Sequence, residues 1–279
     1  DEILLSIEKP ARYIGNEVNM VVKNPKDVDI RFAFCFPDVY EVGMSHLGSH
    51  ILYDVINRDE KIFCERVYAP AVDMENMMRE KNIPLFALES REPITNFDVI
   101  AFTLQYELSY TNILNMLDLA NVPILRTERK LDDPFILVGG PCAYNVEPMA
   151  DFVDIVVLGE GEEVNLEILN AYKEWKKNKT TREDFLYQIS SIEGVYIPSF
   201  YDVTYNEDNT VKEVVPNREN IPSKPHKRII KDVENVPYPE KLIVPFIDTV
   251  HNRVVLELFR GCTRGCRFCQ AGMIYRPIR

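Results

Sequence analysis

Three cysteines, Cys262, Cys266 and Cys269, stand at offsets of 0, 4 and 7 along the chain. Thiolates this close on one loop can hold three corners of a cubane cluster, and soft sulfur ligands suit iron–sulfur clusters or zinc. A cluster with purely structural work wants a fourth protein thiolate, and none follows nearby. Three ligands leave one iron open to a small chelating molecule. Gly261 and Gly265 let the backbone fold tightly around a metal, and Arg260, Arg264 and Arg267 bring positive charge to an anionic cluster. The spacing alone also admits a zinc site with His251 as fourth ligand, or three plain thiols. Cys35, Cys64 and Cys142 are scattered without metal-like spacing, so the cysteines are no disulfide scaffold and the chain reads as a cytoplasmic protein of a reducing compartment.

A second set of residues gathers after β-rich runs: Asp38, Tyr40, Glu41 and Gly43, then Thr103 and Gln105, then Gly139, Gly140 and Pro141, then Gly159, Glu160 and Gly161. In an open parallel sheet such positions lie beyond the carboxyl ends of the strands, where ligands bind at the switch in strand order. The glycines would let a large planar ligand approach the backbone. Gly159-Glu160-Gly161 also reads as a plain strand-to-helix turn, its acids favoured by the helix dipole; it lacks the third glycine of a dinucleotide fingerprint. Cys142 falls on the same rim, as a cofactor contact or a small buried thiol. His46 and His50, four apart on a helix, read as packed or solvated histidines before a metal pair.

The elements that must position these residues are legible in the hydrophobic pattern. Ile30–Phe36 is a nearly continuous apolar run and Val99–Leu104 a similar one, suited to strands buried on both faces, and Ile62–Tyr68, Phe135–Val138 and Asp154–Leu158 read as further strands. Helical spacing separates them over Ser45–Asn57, with Ser45 as N-cap, and over Asp73–Glu80, Ser109–Ala120 and from the turn Gly159–Glu163 onward to about Lys177. The alternation predicts an α/β fold with a doubly wound, Rossmann-like parallel sheet over 29–178, after a lead-in over 1–28. A helix over Thr181–Ser190, a hairpin from Val195–Tyr205 and Val211–Val215, and a proline-rich linker fill 179–245; 246–279 opens with a strand over Arg253–Phe259 that delivers the cysteine loop. Lys224, Lys227, Arg228 and Lys231 in the linker read as solvated charge.

The stretch Arg260-Gly261-Cys262-Thr263-Arg264-Gly265-Cys266-Arg267-Phe268-Cys269 resembles the radical S-adenosylmethionine (SAM) superfamily, including the aromatic before the third cysteine. The resemblance implies a 4Fe–4S cluster on Cys262, Cys266 and Cys269, SAM on the open iron, reductive cleavage of SAM to a 5′-deoxyadenosyl radical, and a β/α barrel of which 246–279 is the start. It further implies an electron donor such as flavodoxin or ferredoxin. Pro37-Asp38-Val39-Tyr40-Glu41-Val42-Gly43-Met44-Ser45-His46-Leu47-Gly48, with Gly139–Pro141, Gly159–Glu163 and Lys9–Tyr13, resembles the cobalamin-binding domain of cobalamin-dependent members, in one uncharacterised bacterial subfamily. Many such domains carry Asp-x-His-x-x-Gly, whose histidine ligates cobalt. That loop has no such histidine here, which implies either a cobalamin without a histidine on its lower face or a domain that has lost cobalamin.

The net charge of −12 makes a poor non-specific nucleic-acid binder, no apolar run approaches the ~20 residues of a membrane span, and no secretory signal opens the chain. An acidic start without Met and an end just past the cysteine loop read as the front part of a longer protein. The substrate is not legible.

Overall fold

The computed structural model describes residues 3–178 and 180–279. Its centre is a sheet of six strands: β1 (Ile30–Phe36), β2 (Ile62–Tyr68), β3 (Val99–Thr103), β4 (Phe135–Gly139), β5 (Ile155–Val157) and β6 (Val195–Tyr196), in the order β2-β1-β3-β4-β5-β6. The first five are parallel and β6 adds antiparallel at the edge. Every residue of β1 and β3 is buried, which explains why their sequences are largely apolar, Arg31 and Thr103 apart, rather than alternating.

The helices are α1 (Tyr40–Gly43), α2 (Leu47–Asn57), α3 (Val72–Lys81), α4 (Tyr110–Leu119), α5 (Gly161–Asn178), α6 (Arg182–Ile189) and the short α7 (Ala271–Ile274). They cover both faces of the sheet. Met74 and Met78 of α3 with Ile113, Met116 and Leu117 of α4 pack with Ala33, Cys35 and Phe102 on one face. Tyr53 and Ile56 of α2, Ile168, Leu169, Tyr172 and Trp175 of α5 and Phe185 of α6 pack with Phe32, Phe34 and Phe135 on the other. This is the expected doubly wound α/β sheet.

Several sequence expectations are corrected. The N-cap of α2 is His46, whose side chain accepts from Ser49 N; Ser45 instead donates to Glu41 O. The sheet runs on past residue 178, because α6 and β6 complete its edge and core. The hairpin is shorter than read: Tyr201–Tyr205 (β7) pairs with Val211–Pro216 (β8), while Val195 and Tyr196 leave it for the main sheet. Arg253–Phe259 is not a strand. A strand needs a ladder partner for its backbone, and this stretch has none among the described residues; Val254, Leu256, Leu258 and Phe259 are exposed.

The lead-in is held against the sheet. Ile7 is buried, and Glu17 accepts from Arg66 of β2 at 2.9 Å. No helix among the described residues is long and apolar enough to cross a membrane.

Candidate cofactor crevice and cysteine loop

A crevice of about 240 Å3 opens at the carboxyl ends of β1, β3, β4 and β5. Its position follows from the strand order, which reverses between β1 and β3 and leaves the succeeding loops splayed to either side. Phe34, Leu137 and Val157 supply an apolar floor; Thr103, Gln105, Gly139, Gly140, Pro141, Gly159, Glu160 and Gly161 line its rim.

Asp38, Tyr40, Glu41 and Gly43 do not line it, because packing engages each of them elsewhere. Asp38 accepts from Tyr106 Oη at 2.8 Å and from Val39 N at 2.7 Å. The buried Tyr40 hydroxyl donates to Glu17 Oε1 at 2.9 Å. Glu41 accepts from Arg12 at 2.8 and 2.9 Å and from Lys9 at 3.1 Å. Burial pushes its carboxyl upward, but these bonds outweigh that and hold it below the usual carboxylate range. A Cβ on Gly43 would stand 2.2 Å from the Tyr68 ring.

The rim glycines answer a different demand from the one read in the sequence. Gly140 has φ +101° and a Cβ there would meet Leu104 O at 2.8 Å; Gly159 has φ +104° and a Cβ would meet Arg228 O at 2.1 Å. The close approach at Gly159 is therefore made by the chain's own backbone. Arg228 N donates to Leu158 O and Glu160 N to Arg228 O, which lays linker residues 227–229 along the crevice. Lys227 and Arg228 are thus not simply solvated. Lys227 Nζ donates to Ile274 O at 2.9 Å, and Arg228 pairs with Glu163 and Glu167 at 2.6 and 2.7 Å.

The cysteine loop sits beside this crevice. Arg260, two residues before Cys262, lines it, as do Ile274, Tyr275, Arg276 and Arg279 beyond Cys269. Glu160 ties the two parts together: its carboxylate meets Arg260 at 3.3 Å and Arg279, and accepts from Ile230 N at 2.6 Å. Arg260 also pairs with Glu162 at 2.6 Å and Glu257 at 2.9 Å. Burial opposes the Arg260 charge, yet these carboxylates hold its pKa above the ordinary guanidinium value.

Cys262 and Cys269 are half-buried and Cys266 is exposed. Cys269 N donates to Cys266 O at 3.1 Å, and Cys262 Sγ accepts from Arg264 N at 3.4 Å. Gly261 has φ +93° and packs against the Tyr275 and Pro277 carbonyls. Among the described residues no three His, Cys, Asp or Glu side chains are gathered as a metal site. The donor set fits a cluster in kind, and the open turn leaves all three thiols on one loop.

Cys142 is a buried thiol, raised by burial and off the crevice lining. His46 and His50 do not pair around a metal: His46 Nδ1 accepts from Ser49 N, and His50 Nε2 meets Met44 O at 2.9 Å. His46 does line the crevice, with burial, and then His50, driving its pKa down to about 4. Leu52, Tyr144 and Asn165 line the crevice although the sequence reading did not single them out, whereas His46 was read there only as a packed or solvated histidine. A signal for Asn165 existed: it is a polar residue among the core positions Val164, Ile168 and Leu169 of an amphipathic helix.

Comparison with known proteins follows the same lines. The uncharacterized protein MJ0966 of Methanocaldococcus jannaschii is 29% identical over 251 residues, covering 88% of this chain and 42% of its own length. The chain thus spans less than half the length of that relative. Among solved structures, the cobalamin-dependent SAM radical enzyme OxsB, with aqua-cobalamin and SAM bound, matches with a TM-score of 0.48 and 14% identity, over 86% of this chain and 28% of that one. The radical SAM methyltransferase TsrM from Kitasatospora setae matches with a TM-score of 0.35 and 15% identity, over 64% of this chain and 29% of that one. At such scores neither likeness carries an argument for what this chain binds. Residues 48–198, more than half of the chain, match the family model for radical SAM proteins, N-terminal, and to that family the chain belongs.

Proposed function

We propose that this chain is the cofactor-holding front of a cobalamin-binding radical SAM enzyme of the cytoplasm. In this reading Cys262, Cys266 and Cys269 hold a 4Fe–4S cluster, and the crevice at the sheet ends holds a corrinoid. The observation that carries it is a juxtaposition: residues on both sides of the cysteine triad, Arg260 and Ile274–Arg276, form part of the wall of the sheet-end crevice. Such a cluster, with SAM and an electron from a flavodoxin- or ferredoxin-type donor, supplies radical activation of an unreactive C–H position, with methyl transfer as the reaction class a corrinoid would add.

The lining fits a corrinoid in chemistry, with an apolar floor, glycine turns and a few polar atoms. Its volume does not fit with the cover seated. Ligand pockets for drug-sized molecules run to roughly 300–1,000 Å3, a corrinoid is larger, and the crevice holds about 240 Å3. Residues 227–229 and 260–279 must retreat for it to enter. The small volume also supports a second reading, a radical SAM enzyme whose sheet domain is a scaffold without cobalamin.

The test is anaerobic reconstitution of the natural polypeptide that carries this chain with iron, sulfide and hydroxocobalamin. About four irons and four sulfides, lost on joint Cys262→Ala, Cys266→Ala and Cys269→Ala replacement, are expected, with about one cobalt retained after desalting. Iron without cobalt selects the scaffold reading. Zinc without iron or sulfide removes the enzyme reading.

A further inference from the structure

The linker crosses the sheet rim along a track that two separate loops clear for it. Gly159, after β5, has φ +104°, and a Cβ there would stand 2.1 Å from Arg228 O; Gly194, just before β6, has φ +94°, and a Cβ there would stand 2.8 Å from Arg228 Cβ. Glycine adopts such a backbone at no steric cost. Arg228 fills the space so left. Its N donates to Leu158 O at 2.8 Å, its O accepts from Glu160 N at 3.1 Å, and its guanidinium pairs with Glu163 and Glu167. Residue 228 is thereby fixed to the sheet, and Lys227 precedes it.

Lys227 reaches the other way. Its Nζ donates to Ile274 O at 2.9 Å and to Arg276 O, 47 and 49 positions along the chain. Ile274 ends α7, where the last carbonyls have no partner within the helix. Arg276 in turn donates to Arg264 O at 3.1 Å, and Arg264, which stands between Cys262 and Cys266, donates from its N to Cys262 Sγ at 3.4 Å. Paired backbone bonds close the ends of this stretch, Arg260 N to Arg279 O and Arg279 N to Arg260 O, both at 2.9 Å. Residues 260–279 therefore form one lobe, with the thiols on its outgoing half and Lys227 gripping its return half. The grip works against the ammonium: burial, and then the charge of Arg279, lower its pKa against an upward pull from Glu160.

We propose that Lys227 is a positioning residue for the iron–sulfur site. It carries the fixed position of Arg228 on the sheet rim to the cysteine lobe, so that a cluster on Cys262, Cys266 and Cys269 is held in place relative to the sheet. The assignment rests on the cluster reading above and is independent of the corrinoid. An ammonium offers three donors on a flexible stem, which suits it to two carbonyls of a segment whose own regular structure is the single turn of α7.

The experiment uses the natural polypeptide that carries this chain, as wild type, Lys227→Met and Lys231→Met, reconstituted anaerobically with iron and sulfide. Three quantities are read: the rate at which iron passes to an added chelator, the visible circular dichroism of the cluster, and the urea midpoint. Methionine keeps an unbranched stem and removes the donors, and Lys231→Met takes the same charge from an exposed position of the linker. A hydrogen bond to a charged group is strong enough to change an opening equilibrium about tenfold. Lys227→Met should accordingly release iron about tenfold faster. It should also alter the visible dichroism, which reads the asymmetry that the protein imposes on the cluster. Lys231→Met should match wild type in both. The urea midpoint should be the same in all three, because the core clusters of the sheet do not include Lys227. Wild-type release and dichroism in Lys227→Met would overturn its role while the cluster reading stands. A change that Lys231→Met reproduces, or one that tracks a fall in the urea midpoint, would overturn it in the same way. If wild type takes up no iron and sulfide, the cluster reading falls and the role of Lys227 with it.

Discussion

His46 shows how one residue can serve the fold and the crevice together. Its Nδ1 accepts from Ser49 N at 3.1 Å and caps α2, a bond that requires Nδ1 to be unprotonated. Burial, reinforced by the neighbouring His50, lowers its pKa from 6.5 to about 4, against a weaker upward pull from Gln105. The sign follows from linkage. Between these two values the unfolded chain binds the proton and the folded chain does not, so stability is complete above about pH 6.5 and is lost as pH falls towards 4. The shift sets a ceiling of about 3 kcal/mol on that loss. His46→Asn keeps a cap and removes the titration; urea unfolding at pH 7.0 and 4.8 should show a smaller pH-dependent loss than in wild type, and an equal loss would assign the acid sensitivity elsewhere. At this scale residue types were readable from the sequence and their partners were not. Gly159 was legible as a glycine that something must approach closely, but that the visitor is Arg228, 69 positions along the chain, depends on the path of the linker.

Elements were legible where burial is two-sided. β1 and β3 read as mainly apolar runs because helices cover both their faces, whereas the two-residue β6 carries too little pattern to separate from the hairpin beside it. Arg253–Phe259 has the composition of a strand without a ladder partner, and composition cannot report a partner. The lead-in showed no period because scattered apolar contacts, such as Ile7 and Val21, together with ion pairs, rather than one amphipathic face, attach it. Arg66 of β2, 4% exposed, is bonded by Glu17 from the lead-in at 2.9 Å and by Glu89 from the loop before β3 at 2.6 Å. Removing one member of a buried charged group strands the others and typically costs about 3–5 kcal/mol. Arg66→Ala should therefore lower the unfolding free energy by that order and expose the lead-in to trypsin at Arg12. The double change Glu17→Gln with Arg66→Met, which discharges the same contact, should recover part of the loss. If Arg66→Ala unfolds at the wild-type urea concentration, the ion pairs do not hold the lead-in.

At the scale of the whole molecule the crevice is a joint structure, with its floor on the sheet and its cover on residues 227–229 and 260–279. The chain carries −12 overall, yet the cover is rich in arginine and meets glutamates at the start of α5, so local charge complementarity opposes the general repulsion. Glu160 is the common anchor, shared by Arg260, Arg279 and the Ile230 amide. These arginine side chains are 13% and 16% exposed, so salt should weaken the attachment only in part. Glu160→Gln keeps the size of the side chain and its acceptor oxygen but deletes the charge that faces two guanidinium groups. Trypsin should then cleave after the exposed Arg264 and Arg267 severalfold faster than in wild type. Raising salt from roughly 0.05 to 0.5 M should move wild type part of the way towards the variant. The urea midpoint of the sheet should stay where it is, because the core clusters on its two faces do not include Glu160. Unchanged cleavage would mean that Ile274 and Tyr275, seated on the crevice by packing, hold the cover without help from charge. Faster cleavage with an intact sheet would make Glu160 the point from which a ligand as large as a corrinoid must release the cover to enter.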